Sequence, residues 1–425
     1  MKIKSLHLEN YRCFDDSNIV FDKNMTVVVG INGSGKTSIL EAMSVFLKMY
    51  ASSIDSQPNY NQIQRNNLKH GKDRLSLSVD AKDANPRSGT LHKLLVSFEE
   101  NKGHPSLLVP SFDHDKLRKF ISRFKDSSLS FTNVVYYSSK RVISNVGRNS
   151  TSKTELKSAF ENAFSPQIDF SSSLAWFIEK SSQEALEAMR LKNMDYRIPE
   201  LSAVRIAVSK ALGEYGEPFV GETPPVLFIP QKDDPSQVFR IEELSDGYRT
   251  MLALVMDLAR RMAVANSHIE WPDGQTVLYS PGVVLIDEVE LHLHPSWQQR
   301  VLPSLMEIFP NVQFIVTTHS PQVLTSIGAK HIRILQDGKV HSFSDETEGA
   351  EAGRVLEDVL GVKSRPDNEI VKKLGQYTKL VYTEKWDTQE ALELKAELEE
   401  HYGRSEPRLK ELELHIENSK WERGL

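Results

Sequence analysis

The stretch GINGSGKTSI, from Gly30 to Ile39, follows the apolar run MTVVV and constrains the fold more than any other part of the chain. It fits the pattern Gly-x-x-x-x-Gly-Lys-Thr, with Gly30, Gly35, Lys36 and Thr37 at the defined positions. Glycines let successive backbone N–H groups curve around phosphate oxygens, and a helix that starts here directs its positive end toward the same charge. The pattern therefore predicts a strand, a phosphate-binding loop and a helix. The alternative is a glycine turn that binds nothing.

The residues of this loop have expected tasks in holding a nucleoside triphosphate. The Lys36 ammonium can reach the β- and γ-phosphates, and the Thr37 hydroxyl can bind Mg²⁺. ATP and Mg²⁺ are therefore the expected cofactors. The loop residues expected to bind the nucleotide are Asn32, Gly33, Ser34, Gly35, Lys36, Thr37 and Ser38.

A second pattern, VVLIDEVE, places two adjacent carboxylates after four apolar residues. Asp287 would hold Mg²⁺ through water, and Glu288 would orient and deprotonate the water that attacks the γ-phosphate. An acidic surface turn after a buried strand is the alternative interpretation. The upstream Lys36 favours the catalytic interpretation, because a phosphate-binding loop of this kind needs an acidic partner.

Two further stretches place polar residues where a loop or a strand would meet a phosphate site. ELSDGYR puts Ser245, Asp246 and Gly247 at the start of a long helix, where backbone N–H groups bind anions. The same residues could also be an ordinary helix N-cap. IVTTHS ends a predicted strand with His319. A single histidine is usually structural, but its position after the two carboxylates favours a functional role.

The order of these motifs resembles the SMC/RecF/OLD-like branch of the ABC-type ATPases. ELSDGYR is similar to the signature loop of that family, and His319 occupies the position of its switch histidine, which senses the γ-phosphate. NYRCF resembles the branch's Asn-Phe-Arg-x-Phe segment, in which Arg12 would approach the nucleotide or the phosphate-binding loop. EVELHLHPSWQ is similar to the D-loop region, so we expect a structural or dimer-contact role for His292 and His294 rather than metal binding.

The resemblance implies a fold and a set of functional residues. The fold class is α/β: an ABC-type P-loop ATPase head with a mixed sheet, an inserted helical lobe and a C-terminal helical tail. The implied catalytic residues are Glu288 and His319. The implied metal ligands are Thr37 and Asp287. Nucleotide binding would be completed by Arg12, Ser245, Asp246 and Gly247.

In this family two heads enclose ATP between them. Ser245 and Gly247 would therefore act on the nucleotide bound by a second copy, and the protein would form a homodimer or a higher even oligomer. The Q-loop of the family is not evident in the sequence, and Arg141 is a candidate for its residue.

The length of 425 residues indicates more than one lobe. The predicted domains are an N-terminal ATPase lobe with the phosphate loop at 1–145, a helical insert at 146–235, a C-terminal ATPase lobe with the signature, the acidic pair and the switch histidine at 236–345, and a helical tail for partner binding or oligomerisation at 346–425.

Two local predictions refine this division. Residues 213–237, rich in proline and glycine, are expected to be loop with one strand. The tail is expected to contain a two-helix hairpin, with Asp387 as the N-cap of its first helix, Gly403 as the stop and Pro407 in the first turn of its second helix.

Composition and charge limit the partners. The net charge of −6 argues against a wholly basic nucleic-acid coat, but residues 116–157 hold ten Lys or Arg against two acids. This stretch could contact nucleic-acid phosphates, face an acidic partner or be a solvated surface. Cys13, the one cysteine, is expected to be an ordinary buried thiol. Without a signal peptide or a long apolar run, the protein is expected in the cytoplasm and not in a membrane.

The compact ATPase with a short helical tail is most similar to the PtuA family, the ATPases of Septu-type and retron-associated antiphage systems. This implies a separate HNH nuclease partner, with retron RNA or DNA or a reverse transcriptase as further partners, and a chain that does not itself cut nucleic acid. A RecF/SMC-like DNA-repair ATPase and a transporter nucleotide-binding subunit are the alternatives. The lack of long heptad runs disfavours an SMC protein, and the NYRCF and HLHP segments disfavour a transporter subunit.

Overall fold

The computed structural model of the chain describes residues 1–54, 63–82, 91–101, 104–111, 130–143, 156–168, 170–222, 224–272, 274–403 and 405–422. The chain forms two compact units, Met1–Leu360 and Gly361–Leu425. The second unit thus begins later than the tail predicted from residue 346, and the described helices of the predicted insert belong to the first unit. In the described part of the chain, no helix combines the length and the hydropathy that a membrane span requires.

The strands that the structure describes in the first unit pair into four sheets. In chain order they are β1 (Lys2–Tyr11), β2 (Phe14–Val20), β3 (Met25–Val29), β4 (Arg74–Lys82), β5 (Leu91–Asn101), β6 (His104–Ser111), β7 (Asn133–Tyr137), β8 (Val142–Ile143), β9 (Gln167–Ile168), β10 (Phe219–Gly221), β11 (Val226–Pro230), β12 (Val238–Arg240), β13 (Gly282–Ile286), β14 (Val312–Thr317), β15 (Ile332–Gln336) and β16 (Lys339–Ser342).

A six-stranded mixed sheet in the order β16-β15-β3-β14-β13-β7 carries the predicted motifs. Its strands run parallel except for β16, which pairs antiparallel with β15. Every residue of β3, β7, β13 and β14 is buried, which explains their continuous runs of mostly apolar residues. Because parallel strands end at the same edge, the segments that follow these four strands meet there.

The other large sheet is antiparallel and has the order β2-β1-β4-β5-β6. The alternating sequences RLSLSVDAK and KLLVSFEE lie in its strands β4 and β5, as their periodicity predicts. The expectation of a single strand within residues 213–237 is wrong, because β10 and β11 both lie there and pair with β12 in a three-stranded antiparallel sheet. Strands of three residues are too short to show a periodic pattern, so only their pairing reveals them.

The described part of the first unit also contains helices, the first of which begins after the loop that follows β3. They are α1 (Lys36–Ile54), α2 (Phe170–Leu191), α3 (Pro199–Leu212), α4 (Asp246–Ala265), α5 (Pro295–Gln298), α6 (Val301–Ile308), α7 (Pro321–Leu324) and α8 (Ala352–Asp358). Helix α4 is buried on all sides from Thr250 to Ala265, as expected for a helix in the centre of a large unit.

The buried negative charge of Asp257, in α4, is balanced by two buried arginines. Its carboxylate, fully buried, accepts hydrogen bonds from Arg261 Nε at 2.8 Å and from the Tyr137 hydroxyl at 2.9 Å. Arg260 contacts the same carboxylate at 3.4 Å. This network attaches the helix that begins with the predicted signature to strand β7 of the main sheet.

Three helices make up most of the described part of the second unit. Its helices are α9 (Glu369–Tyr382), α10 (Gln389–Tyr402) and α11 (Pro407–Glu422). Their apolar faces meet in a separate small core of Leu374, Tyr377, Val381, Ala391, Leu398, Leu409 and Leu412. The predicted hairpin corresponds to α10 and α11, whereas the sequence patterns did not predict α9.

The ends of the tail helices are mostly where the sequence places them. Gly403, with φ of 78°, ends α10, and Pro407 begins α11. The N-cap of α10 is Thr388, whose hydroxyl accepts from the Ala391 N–H, so the prediction of Asp387 is wrong by one residue. Both side chains can cap, and the backbone conformation selects between them.

Candidate functional site

The loop between β3 and α1 brings backbone close to backbone, which only glycine permits. A Cβ atom on Gly30 would lie 2.5 Å from the Leu335 carbonyl oxygen. At Gly35, where φ is +107°, a Cβ would lie 2.6 Å from Cys13 Sγ and 2.9 Å from the Phe14 ring. The loop therefore presents bare backbone, as a phosphate cradle requires.

The side chains of the loop point their polar groups inward. Lys36 is buried, and its ammonium donates to the carbonyl oxygens of Gly30 at 2.9 Å and Ile31 at 3.0 Å. Burial lowers the pKa of Lys36, while Asp287 acts in the opposite direction. The Ser34 hydroxyl is buried and has no partner among the described residues. Asn32 and Gly33 form the exposed tip of the loop.

Thr37, at the start of α1, meets Asp287 at the end of β13. The Thr37 hydroxyl lies 2.9 Å and 3.2 Å from the two oxygens of the Asp287 carboxylate. Thr317, at the end of β14, donates its hydroxyl to the same carboxylate at 2.6 Å. The two residues predicted as metal ligands are thus side by side, and a second hydroxyl, that of Thr317, orients the carboxylate.

Glu288 follows Asp287 in a backbone conformation that non-glycine residues seldom adopt, with φ of 48°. Its N–H donates to the Thr317 hydroxyl at 2.8 Å, and the next N–H, that of Val289, donates to the Thr317 carbonyl oxygen at 3.0 Å. These bonds hold the turn, and the partly buried Glu288 side chain lies at the edge where the parallel strands end.

Arg141, the candidate for the Q-loop residue, lies beneath this turn. Its guanidinium donates to the carbonyl oxygens of Asp287 at 2.5 Å and Glu288 at 2.8 Å. The residue is 6% exposed, and burial lowers its pKa. Arg141 therefore supports the backbone of the acidic pair.

His319 follows β14 and is partly buried. Burial lowers the pKa of its imidazole, and the Lys36 charge lowers it further. Its backbone N–H donates to Glu290 Oε1 at 2.6 Å. His319 and Lys36 thus share one electrostatic neighbourhood with three carboxylates, since Glu290, Glu288 and Asp287 all raise the pKa of the same imidazole.

Arg12 lies against the first turns of α1. Its guanidinium donates to the Ser38 hydroxyl at 3.1 Å and forms an ion pair with Glu41. With φ of 51°, Arg12 belongs to the tight turn between β1 and β2. The predicted approach of Arg12 to the phosphate loop thus takes place through Ser38.

Cys13 lies in the same turn, and its exposure differs from the prediction. The residue is exposed, and its thiol lies 3.6 Å from the Ser34 carbonyl oxygen. A turn between strands at the surface leaves the side chain open to solvent, so the expectation of a buried thiol is wrong.

The predicted signature residues begin helix α4, with Ser245 at the N-cap position. Its side chain makes no capping hydrogen bond, and Asp246 is exposed beside Arg249. Gly247 lies against the HLHP segment, where an added Cβ would be 3.5 Å from the His292 carbonyl oxygen. Among the described residues, no hydrogen bond or ion pair joins these signature residues to loop 30–37.

The histidines of the HLHP segment have structural contacts. The His294 ring nitrogen bonds to the Ser296 hydroxyl at 2.9 Å and caps α5. His292 has φ of 64° in the turn before it. Tyr248, next to Gly247, packs edge-on against Trp297 with ring centroids 4.9 Å apart. The segment therefore packs against the start of α4, a relation that the sequence did not reveal.

Most of the basic stretch 116–157 lies outside the described residues. Of its basic residues that the structure describes, Lys140 and Lys157 are exposed and Arg141 is buried under the acidic turn. Arg141 is therefore not part of a basic surface.

The arrangement fits a Mg²⁺–nucleotide. Backbone without room for a Cβ at Gly30 and Gly35, a buried ammonium and a buried hydroxyl without a partner among the described residues can cradle an anion. A hydroxyl beside a carboxylate is the oxygen donor pair that Mg²⁺ prefers. A second carboxylate and a histidine with a lowered pKa stand next to it. Such a site can bind a triphosphate and direct a water to it.

Comparisons with known proteins agree with this chemistry. The chain is 28% identical to "Retron Ec83 probable ATPase" of Escherichia coli, over 99% of this chain and 88% of the relative. It is 23% identical to "Retron Vc95 probable ATPase" of Vibrio cholerae, over 95% of this chain and 88% of the relative. The resemblance to retron-associated ATPases that the motifs indicate is confirmed, and the chain is an ATPase.

The chain is also similar to a relative over a shorter stretch, to a solved structure and to a family model. "Septu protein PtuA" of Bacillus mycoides is 36% identical over 24% of this chain and 13% of its own length. The SMC head domain from Thermotoga maritima is 15% identical, with a TM-score of 0.44, over 81% of this chain and 100% of that domain. The family model described as "AAA domain, putative AbiEii toxin, Type IV TA system" matches residues 25–325, which contain the phosphate loop, the acidic pair and His319. The chain belongs to this family of AAA-domain ATPases.

Proposed function

We propose that this chain is the ATP-hydrolysing subunit of an antiphage defence complex and regulates an HNH nuclease partner through nucleotide-dependent dimerisation. The observation that carries the proposal is the nearly full-length similarity to two retron ATPases. The partial similarity to a Septu protein points in the same direction. In this proposal the chain does not cut nucleic acid itself.

The proposed mechanism assigns one task to each residue of the site. The loop backbone and Lys36 bind the β- and γ-phosphates, and Glu288 takes a proton from the water whose oxygen attacks the γ-phosphorus as the bond to ADP breaks. His319 contacts the γ-phosphate and distinguishes ATP from ADP. Mg²⁺, held by Thr37 and Asp287, would neutralise phosphate charge.

Dimerisation would complete this site. We propose that Ser245, Asp246 and Gly247 contact the nucleotide of a second copy. Two features of the single chain support this: the Ser245 side chain makes no capping bond, and the start of α4 has no hydrogen bond to loop 30–37 among the described residues. The helix N-terminus there offers backbone donors to a phosphate.

The experiment uses the Glu288→Gln variant, which binds ATP but cannot take the proton. We expect it to form a stable dimer or higher even oligomer with ATP and Mg²⁺ in light scattering, while the unmodified chain returns to its ATP-free state after hydrolysis. The exposed Glu307→Gln is the matched control. If Glu288→Gln keeps one mass with and without ATP, the dimerisation mechanism is wrong.

The partner is tested separately by purifying the tagged chain from its native host with and without ATP. Co-purification of an HNH nuclease whose activity changes with nucleotide supports the defence role. Co-purification of DNA-repair proteins without a nuclease of this kind would favour the RecF-like alternative instead.

A further inference from the structure

Glu290 makes two hydrogen bonds to the turn that contains His319, and none of the roles above accounts for them. Its Oε1 accepts from the backbone N–H of His319 at 2.6 Å. Its Oε2 accepts from the hydroxyl of Thr318 at 2.8 Å. A single partly buried carboxylate thus binds two adjacent residues that lie 28 and 29 positions later in the chain.

These bonds extend a ladder that the two neighbouring strands begin. Strands β13 and β14 are in parallel register as far as Ile286 and Val316. Beyond these residues, Thr317 connects the segments that follow the two strands. Its hydroxyl accepts from the Glu288 N–H, and its carbonyl oxygen accepts from the Val289 N–H. Glu290 is the next connection, and it is made by a side chain.

The orientation of His319 depends on this connection. Among the described residues, the His319 imidazole makes no hydrogen bond, whereas its N–H is bound at a short distance. The position of its Cα is therefore held chiefly through the backbone. A displacement of about 1 Å in a group that contacts a reacting phosphate can cost about 100-fold in rate.

We propose that Glu290 is a positioning residue for ATP hydrolysis: its two hydrogen bonds hold Thr318 and His319 where the imidazole meets the γ-phosphate. The inference rests on the role of His319 proposed above. In this proposal the hydrogen-bonding geometry of Glu290, rather than its charge, positions the two residues.

A series of variants in the full chain separates geometry from charge. Gln keeps the reach of Glu, and its oxygen accepts from the His319 N–H. Its amide donates to the Thr318 hydroxyl, which already accepts from the Ser320 N–H at 3.0 Å and keeps one lone pair for this bond. Asp keeps the charge but is one methylene shorter and cannot reach both groups. We expect kcat in the order Glu290 ≈ Gln > Asp ≥ Ala, with Ala lower by about 10- to 100-fold.

The KM for ATP should change by less than about twofold in all three variants, because the phosphate loop is untouched. A role confined to stability would alter the unfolding temperature and leave the kcat of the folded fraction unchanged. Glu307→Ala, an exposed carboxylate on α6, is the matched control. Should Glu290→Ala fail to fold, the contrast between Gln and Asp still decides.

The His319→Ala variant, measured in the same assay, separates the proposed role of His319 from the proposed role of Glu290. If His319→Ala keeps full kcat, the proposed role of His319 fails. If His319→Ala loses activity while Glu290→Ala does not, or if Asp outperforms Gln, the positioning role of Glu290 is overturned and that of His319 remains.

Discussion

Thr37 Oγ1 lies 2.9 Å from Oδ2 of Asp287, although 250 positions of sequence separate the two residues. The contact joins the start of α1 to the end of β13, with strand β14 between β3 and β13 in the sheet. It places a hydroxyl and a carboxylate where a divalent cation would need them.

Removing this hydroxyl should weaken the use of Mg²⁺. We expect Thr37→Val to raise the Mg²⁺ concentration for half-maximal ATPase activity by about 10- to 100-fold, the range typical for residues that support a metal site. The measurement is ATP hydrolysis against free Mg²⁺, after removal of metal with a chelator. Thr325→Val, which loses a hydroxyl bound to the Gln322 carbonyl outside the site, is the control. Equal Mg²⁺ dependence in both variants would contradict the assignment.

The Lys36 ammonium is expected to supply most of the charge that holds the triphosphate. Lys36→Ala should weaken ATP binding by about 30-fold or more, because losing one partner of a buried charged contact costs about 2–5 kcal/mol. Equilibrium binding of a fluorescent ATP analogue measures this. The exposed Lys330→Ala should bind as the unmodified chain does. A Kd unchanged by Lys36→Ala would rule out this role.

Gly35 should tolerate no side chain. In Gly35→Ala, the new methyl group would meet Cys13 Sγ and the Phe14 ring at less than 3 Å, and φ of +107° adds backbone strain. Gly71, with φ of +78° and no atom of the described residues within 4 Å of an added Cβ, provides a control with strain alone, about 1–2 kcal/mol. We expect Gly35→Ala to lose more unfolding free energy in urea than Gly71→Ala, and also ATP binding. Equal losses would show that the packing is unimportant.

Cys13 is a natural reporter for the phosphate loop. Its thiol is exposed and 3.6 Å from the Ser34 carbonyl, so ATP with Mg²⁺, by holding the loop still, should slow alkylation by a maleimide. Lys36→Ala should abolish that protection. The chain has one cysteine, so mass spectrometry of the whole protein measures the rate directly. Alkylation that proceeds equally with and without ATP would refute this coupling.

The same thiol should react with a distinctive pH dependence. Partial desolvation of the Cys13 sulfur by the groups beside it raises its pKa above the ordinary value of 9.0, and the thiolate is the reactive form. The midpoint of the alkylation rate against pH should therefore lie above 9.0, the pH at which an ordinary thiol is half ionised. A midpoint below 9.0 would contradict this environment.

Asp257 should matter for stability rather than for chemistry. Asp257→Asn removes the charge that Arg260 and Arg261 both contact in a buried site, and we expect it to lower the free energy of unfolding by about 3–5 kcal/mol. The exposed Asp345→Asn is the control. Urea unfolding measures both, and a loss no larger than that of the control would contradict the prediction.

The effect of Asp257 should also depend on pH. Burial alone would raise the pKa of Asp257, but Arg261 and Arg260 outweigh it, so the folded-state pKa lies below the ordinary 3.8. A depressed pKa in the folded state stabilises the protein above 3.8 and loses that contribution as the pH falls through the lower value. The difference in unfolding free energy between the unmodified chain and Asp257→Asn should therefore be constant above about pH 5 and shrink below it.

Local sequence patterns predicted the strands that carry the site, but not the shortest strands or helix α9. The phosphate loop, the acidic pair and His319 all lie after buried strands of one sheet, as their apolar runs predict. The short strands β10 and β12, by contrast, have three residues each, and no periodicity can show in so few. Helix α9 was not predicted, although its hydrophobic face packs in the small core of the second unit.

The sequence by itself determined which residues can hold a phosphate and which strands precede them. It could do so because glycine spacing and apolar runs are local patterns, in which a few consecutive residues set the backbone conformation. Only the tertiary structure decided what supports them: Arg141 under the carbonyls of Asp287 and Glu288, Glu290 on the turn of His319, and Cys13 exposed beside the loop. These contacts join residues far apart in the chain. They follow from the order of strands in the sheet, which no local pattern encodes.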